Sequence, residues 1–216
     1  MTNLEGLKAR WRTHVQMLGN FSPDLVGQTF DNLCASYSEP QRRYHTLIHL
    51  TALFDCLELH GDEIGEPARL AFATWYHDIV YDPSRSDNEE RSAERAVNEL
   101  TALGASDALC TRVAQLIAAT KNHASGGIDY DDDIFLDADL SILGAPEDVY
   151  RQYVGDVRAE YAHVAAAEWK TGRTTFLKKL AVAPRIFRTG IFEGAYGDQA
   201  RANIAWELNE LGKLHV

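Results

Sequence analysis

The sequence predicts an all-α fold, and three observations carry that prediction. Apolar residues recur at three-to-four spacing along most of the chain. No stretch alternates polar and apolar residues as a half-buried strand would, and no Gly-rich phosphate loop of the Walker or Rossmann type occurs. The periodic runs are also separated by helix start and stop signals rather than by hairpin turns.

Taken in order, Leu4, Leu7, Trp11, Val15 and Leu18 mark a first helix that Gly19-Asn20 stops. Ser22-Pro23 supplies an N-cap and a proline at the first helical position, which opens a second helix toward Tyr37 before Pro40 breaks it. A third is expected over 44–59, ending at His60-Gly61. A fourth starts near Pro67 and carries Leu70, Ala71, Phe72, Ala73 and Trp75 into the pair His77-Asp78. The turn-forming segment 81–88 leads to a helix capped by Asp87 or Asn88 and closed by Gly104. Further helices are expected over 106–121, 134–143, 146–169, 174–183 and 196–211, with a flexible stretch at 124–127. No linker, repeat or low-complexity tract interrupts them, so the expected organisation is one domain, 1–216.

Composition narrows the function classes. Twenty-one Lys+Arg against 32 Asp+Glu leave a formal net charge of -11, a field that disfavours binding of a nucleic-acid duplex through a broad basic surface. A small anionic substrate would need a locally positive site. The three cysteines, Cys34, Cys56 and Cys110, are far apart and form no CxxC pair, which reads as buried thiols in a reducing compartment. The charged, amphipathic N-terminus lacks the apolar core of a signal peptide, and no apolar run approaches a membrane span. The expected location is cytoplasmic. A chain of 216 residues buries a core without metal staples, so a metal here is expected to be functional.

Chemistry concentrates in three places. His45 and His49 are four residues apart, which on a helix stacks them on one face. His77-Asp78 ends an apolar helix, and Asp137 and Asp139 flank an alanine in FLDADLSILG, an apolar context where an unpartnered carboxylate is costly. Imidazoles with carboxylates form a suitable ligand set for a divalent first-row cation. Each element also has a plain reading: ordinary half-buried histidines, a chance His-Asp dipeptide, and acidic helix caps.

The order RRYHTLIHL, WYHDIVYDP, DNEERSA, ATKNH and FLDADLSILG resembles the HD superfamily of metal-dependent phosphohydrolases, over at least residues 42–144. The resemblance implies an HD-domain helical bundle with additional C-terminal helices. It implies that His49, His77, Asp78 and Asp139 ligate one divalent cation (Mn, Mg, Co, Ni, Fe or Zn). Asp139 takes that place over Asp137 because the family's final ligand follows a small residue and precedes a leucine. Asp137 is then a supporting or catalytic carboxylate.

The Tyr44-His45-x-x-x-His49 segment is similar to that of cyclic-nucleotide phosphodiesterases. That makes His45 a candidate general acid, or else a residue orienting Asp78 or Asp139. Glu89 becomes a candidate base, or else a carboxylate complementing its helix dipole. Arg43, Lys121 and His123 become candidates for phosphate binding, with Arg42 and Arg158 as further sources of positive charge. Dinuclear relatives supply two extra histidines between the His-Asp pair and the last aspartate, whereas His123 is the single one here. One metal is therefore expected.

The implied function is hydrolysis of a nucleotide or another small phosphate ester. A diiron oxygenase and a non-catalytic metal- or ligand-binding protein are the alternatives. Glu193, Arg201 and Asn203 lie in a C-terminal segment that reads first as a packing helix or a homodimer face.

Overall fold

The computed structural model describes residues 4–121 and 127–213. Among these residues it is all-α, with ten α-helices, two short 3-10 turns and no strand. Among the described residues no helix is long and apolar enough to cross a membrane. The chain forms two compact units, Met1–Leu136 and Asp137–Val216.

The first unit holds α1 (Leu4–Gln16), α2 (Pro23–Ser36), α3 (Leu47–Leu59), α4 (Pro67–Tyr76), α5 (Asn88–Ala102), α6 (Asp107–Thr120) and most of α7 (Tyr130–Asp139). Its centre is α4, buried on every side from Arg69 through Tyr76. The Trp11 ring meets Trp75 edge-on at 5.4 Å and Phe72 at 6.2 Å, and Phe30 meets Trp75 at 6.3 Å. Their polar atoms are satisfied as well. Trp11 Nε1 donates to the Val26 carbonyl at 3.1 Å, Trp75 Nε1 to His14 Nδ1 at 2.9 Å, and Tyr76 Oη to Glu99 at 2.9 Å. Asp131 fixes the start of α4 by accepting the Gly65 and Glu66 amides. The residues that follow α4 therefore leave from a buried, packed helix end.

The second unit holds the end of α7, a 3-10 turn (Leu140–Gly144), α8 (Glu147–Glu160), α9 (Ala166–Ala181) and α10 (Gly190–Lys213). At its core Arg173 donates from Nε and Nη2 to Glu207, and Tyr150 Oη donates to the same carboxylate. Asn203 bridges the Leu143 and Ala145 carbonyls at 2.8 Å each.

Several helix boundaries differ from the sequence expectation: α7 starts at Tyr130 and not at 134, α9 starts at Ala166 and not at 174, and three others differ as follows. The third helix begins at Leu47 and not at Tyr44, because Thr46 is its cap and accepts the Ile48 amide. His45 therefore precedes the helix and does not share a face of it with His49. The helix expected over 146–169 is two: α8 ends at Glu160, where Arg158 donates to the Tyr161 and Val164 carbonyls and closes a turn. The last helix starts six residues earlier than the expected 196, at Gly190.

Candidate metal centre

The chain leaves α4 at Tyr76, and the next residues, His77 and Asp78, project from the turn. His49 lies in the first turn of α3, on the side that packs against α4. Both histidines are buried, at 6% and 1% exposure. The His49 and His77 Nε2 atoms face each other at 3.1 Å, and His77 Nε2 lies 3.1 Å from Asp78 Oδ2. His49 Nε2 and His45 Nε2 each lie 3.9 Å from the same carboxylate oxygen.

His77 Nδ1 lies 3.0 Å from the Thr74 carbonyl. A carbonyl only accepts, so Nδ1 carries a proton and Nε2 is the ring atom turned to the cluster. An imidazole held this way by its other nitrogen is the usual support of a metal-ligating histidine. Two ligands at about 2.1 Å from one cation, at right angles in an octahedral shell, stand about 3.0 Å apart. The His49–His77 and His77–Asp78 separations, both 3.1 Å, match that edge, while His49 and Asp78, at 3.9 Å, stand wider than it.

The charge balance agrees. Burial by itself would push the Asp78 carboxyl up, but the imidazoles of His77, His45 and His49 hold it well below the ordinary carboxylate range. Asp78 is thus an anion among imidazoles, ready as a ligand.

His45 is set by its surroundings rather than by helix geometry. Its ring stacks on Tyr81 at 4.2 Å and meets Tyr44 edge-on at 5.0 Å. Glu89, in the first turn of α5, is half-buried. Burial, and after it the negative charge of Asp78, push its carboxyl above the usual range against its own backbone amide. That coupling puts Glu89 in electrostatic range of the cluster.

The other sequence candidates stand as follows. Lys121 donates to the Ser86 carbonyl and pairs with Glu90. Arg43 is exposed and donates to the Pro40 and Arg42 carbonyls. His123 lies outside the described residues. Asp139 is the last residue of α7 and lies one turn beyond Phe135, whose ring meets His77 edge-on at 5.9 Å.

Asp137 is occupied elsewhere. One oxygen accepts the Arg188 amide and the other accepts the Thr189 amide and hydroxyl, all at 2.8 Å, immediately before α10. Its carboxyl is pushed up by burial, a shift these three donors oppose. Arg158 holds the turn after α8, Glu193 accepts the Ile186 and Phe187 amides, and Arg201 pairs with Glu193.

Arg42 has a role that the sequence reading did not assign. At 3% exposure it donates from Nη1 to the His45 carbonyl at 3.1 Å and the Asp78 carbonyl at 2.7 Å. Nη2 reaches the Ile79 carbonyl at 3.1 Å and Nε reaches Glu39. Its guanidinium also lies over the Tyr37 and Tyr81 rings. One side chain thereby ties the backbone that carries His45 to the backbone that carries Asp78. The double arginine in RRYH was the available signal, but nothing in it separates a phosphate ligand from a backbone staple.

The chain matches no family model, and no curated protein or solved structure matches it.

Proposed function

We propose that the protein is a metal-dependent phosphohydrolase of the HD type that acts on a nucleotide or another small phosphate ester. The observation that carries this reading is the convergence of His49 Nε2, His77 Nε2 and Asp78 Oδ2, with His77 oriented by the Thr74 carbonyl. In this reading His49, His77, Asp78 and Asp139 hold one divalent cation. Asp139 is included because it shares the α7 face of Phe135, which touches His77. A bound cation would supply Lewis acidity, polarising a phosphoryl oxygen and acidifying a water beside it.

The protein's own groups divide the remaining work. Glu89, whose carboxyl is made a stronger proton acceptor by burial and by the charge of Asp78, takes the proton from the attacking water. His45, fixed between Tyr44 and Tyr81, protonates the leaving oxygen. Arg43, exposed and two residues before His45, is a source of charge for the substrate phosphate. Lys121 serves only if a substrate displaces its bond to Glu90. Asp137 takes no part in the chemistry, since both of its oxygens cap the start of α10.

Loading the stripped protein with Mn, Co, Ni, Mg, Fe or Zn and assaying phosphate release from a panel of nucleotides and simple phosphate esters tests the proposal. Release that depends on the cation and is lost in His77→Ala is the expected result. No release from a protein shown to carry the cation would overturn it.

A further inference from the structure

The second unit contains a cleft that the proposed chemistry does not use. It lies between the end of α8 and the first half of α9, has a volume of about 360 Å³, and is lined by Val157, Tyr161, Val164, Trp169, Phe176 and Arg173, with Glu168 and Gly172 at its edge. That volume is at the lower end of the range of small-molecule sites.

Two features mark it as a recess rather than an incidental groove. Tyr161 and Trp169 form one wall with ring centroids 5.3 Å apart. Gly172, inside α9, has no neighbour within 4 Å of where a Cβ would stand, so the helix is cut back toward the space at that point.

The charges around it choose the ligand. Arg173, the cation in the lining, spends its donors on Glu207 and on Tyr153 Oη, and its guanidinium lies against Tyr153 and Phe176. Arg158, over the Trp169 ring, donates to the Tyr161 and Val164 carbonyls. The Glu168 carboxylate, by contrast, has no hydrogen bond or ion pair with any described residue. A cleft of aromatic faces with the donors of both arginines committed and a carboxylate open to a partner suits a cation with an apolar body.

We infer that this cleft binds an organic ammonium ion carrying an aromatic or apolar group. The inference does not depend on the metal centre.

The full chain is titrated by calorimetry with phenethylammonium, 2-phenylethanol and phenylacetate, which share one ring and differ in charge. Phenethylammonium is expected to bind most tightly. Glu168→Gln should weaken it about threefold, as loss of an exposed ion pair does. Gly172→Leu should abolish binding without lowering the melting temperature, because a helix interior favours leucine over glycine. Glu168 is exposed, so its variant carries the test if Gly172→Leu folds poorly. Equal or tighter binding of phenylacetate, unaltered binding by a folded Gly172→Leu protein, or no binding tighter than about 10 mM would each overturn the inference.

Discussion

Replacing Arg42 with methionine keeps most of the side-chain volume and removes every donor. Three backbone carbonyls, those of His45, Asp78 and Ile79, lose a guanidinium partner, and only the bond to Ile79 is fully buried. A hydrogen bond from a charged donor contributes about 1.5–3 kcal/mol. Two of the three carbonyls can recover water in part, so the low end of that range applies to them, and the expected loss is about 5 kcal/mol. The native stability of a domain is about 5–15 kcal/mol, so the protein stays folded at 25 °C and melts about 10 °C lower.

The second consequence falls on the cluster. With His45 and Asp78 no longer tied to one group, affinity for a divalent cation should fall about 10–100-fold, as it does when the support of a ligand is removed. Arg42→Lys keeps the charge but not the planar fork, and should lie between the two. Thermal melting together with cobalt titration against a competing chelator reads both effects. A melting temperature within about 2 °C of wild type, with unchanged cobalt affinity, would refute the staple. If that were joined by a raised KM for phosphate esters, Arg42 would be a substrate ligand instead.

Other expectations are independent of Arg42. Burial lowers His14 to about 4, and Trp75 donates to its Nδ1. Since the folded pKa lies below the unfolded one, the neutral ring is fully compatible with the fold above pH 6.5, and stability falls as pH drops from there toward 4, by up to about 3 kcal/mol; His14→Gln should flatten that stretch of the melting profile. Asp137→Asn sets an amide against donors and should cost about 2 kcal/mol while leaving cobalt affinity unchanged; lost cobalt binding in a folded variant would make Asp137 a ligand. Gly144→Ala places a Cβ 2.6 Å from the Tyr196 backbone oxygen and should destabilise by at least about 2 kcal/mol, whereas Gly155→Ala meets nothing within 4 Å and should stabilise α8 by up to about 1 kcal/mol. Urea melts of the pair check the contrast.

Two helix starts were legible from serine caps, whereas the threonine cap of α3, Thr46, was passed over. Ser22 and Ser106 each accept the amide three residues on, at 3.3 Å, as their positions before α2 and α6 suggest. Where the signal lay in an arginine side-chain bond to the backbone it was not legible. The turn after Glu160, in Tyr-Ala-His-Val-Ala, has neither glycine nor proline, and Arg158 closes it through side-chain bonds to its carbonyls. The start of α10 was hidden by Gly190, Gly194 and Gly197, residues that weaken a helical pattern.

At the candidate site, His49, His77 and Asp78 could be named from spacing and resemblance, because they flank the ends of strongly apolar helices. The neighbourhood of His45 could not, since it depends on Thr46 capping α3 and on Arg42 reaching across to Asp78. Asp137 showed the same limit. The sequence allowed it a cap on the helix that follows, but it holds the start of α10, about fifty residues further along the chain.

The central claim is that one divalent cation sits among His49, His77, Asp78 and Asp139. A cobalt-loaded crystal measured on both sides of the cobalt absorption edge locates the cation directly. One anomalous peak per chain within bonding distance of His49 Nε2, His77 Nε2, Asp78 and Asp139 is the expected result. A peak elsewhere, two peaks sharing Asp78, or a cluster without a peak in saturating cobalt would contradict it.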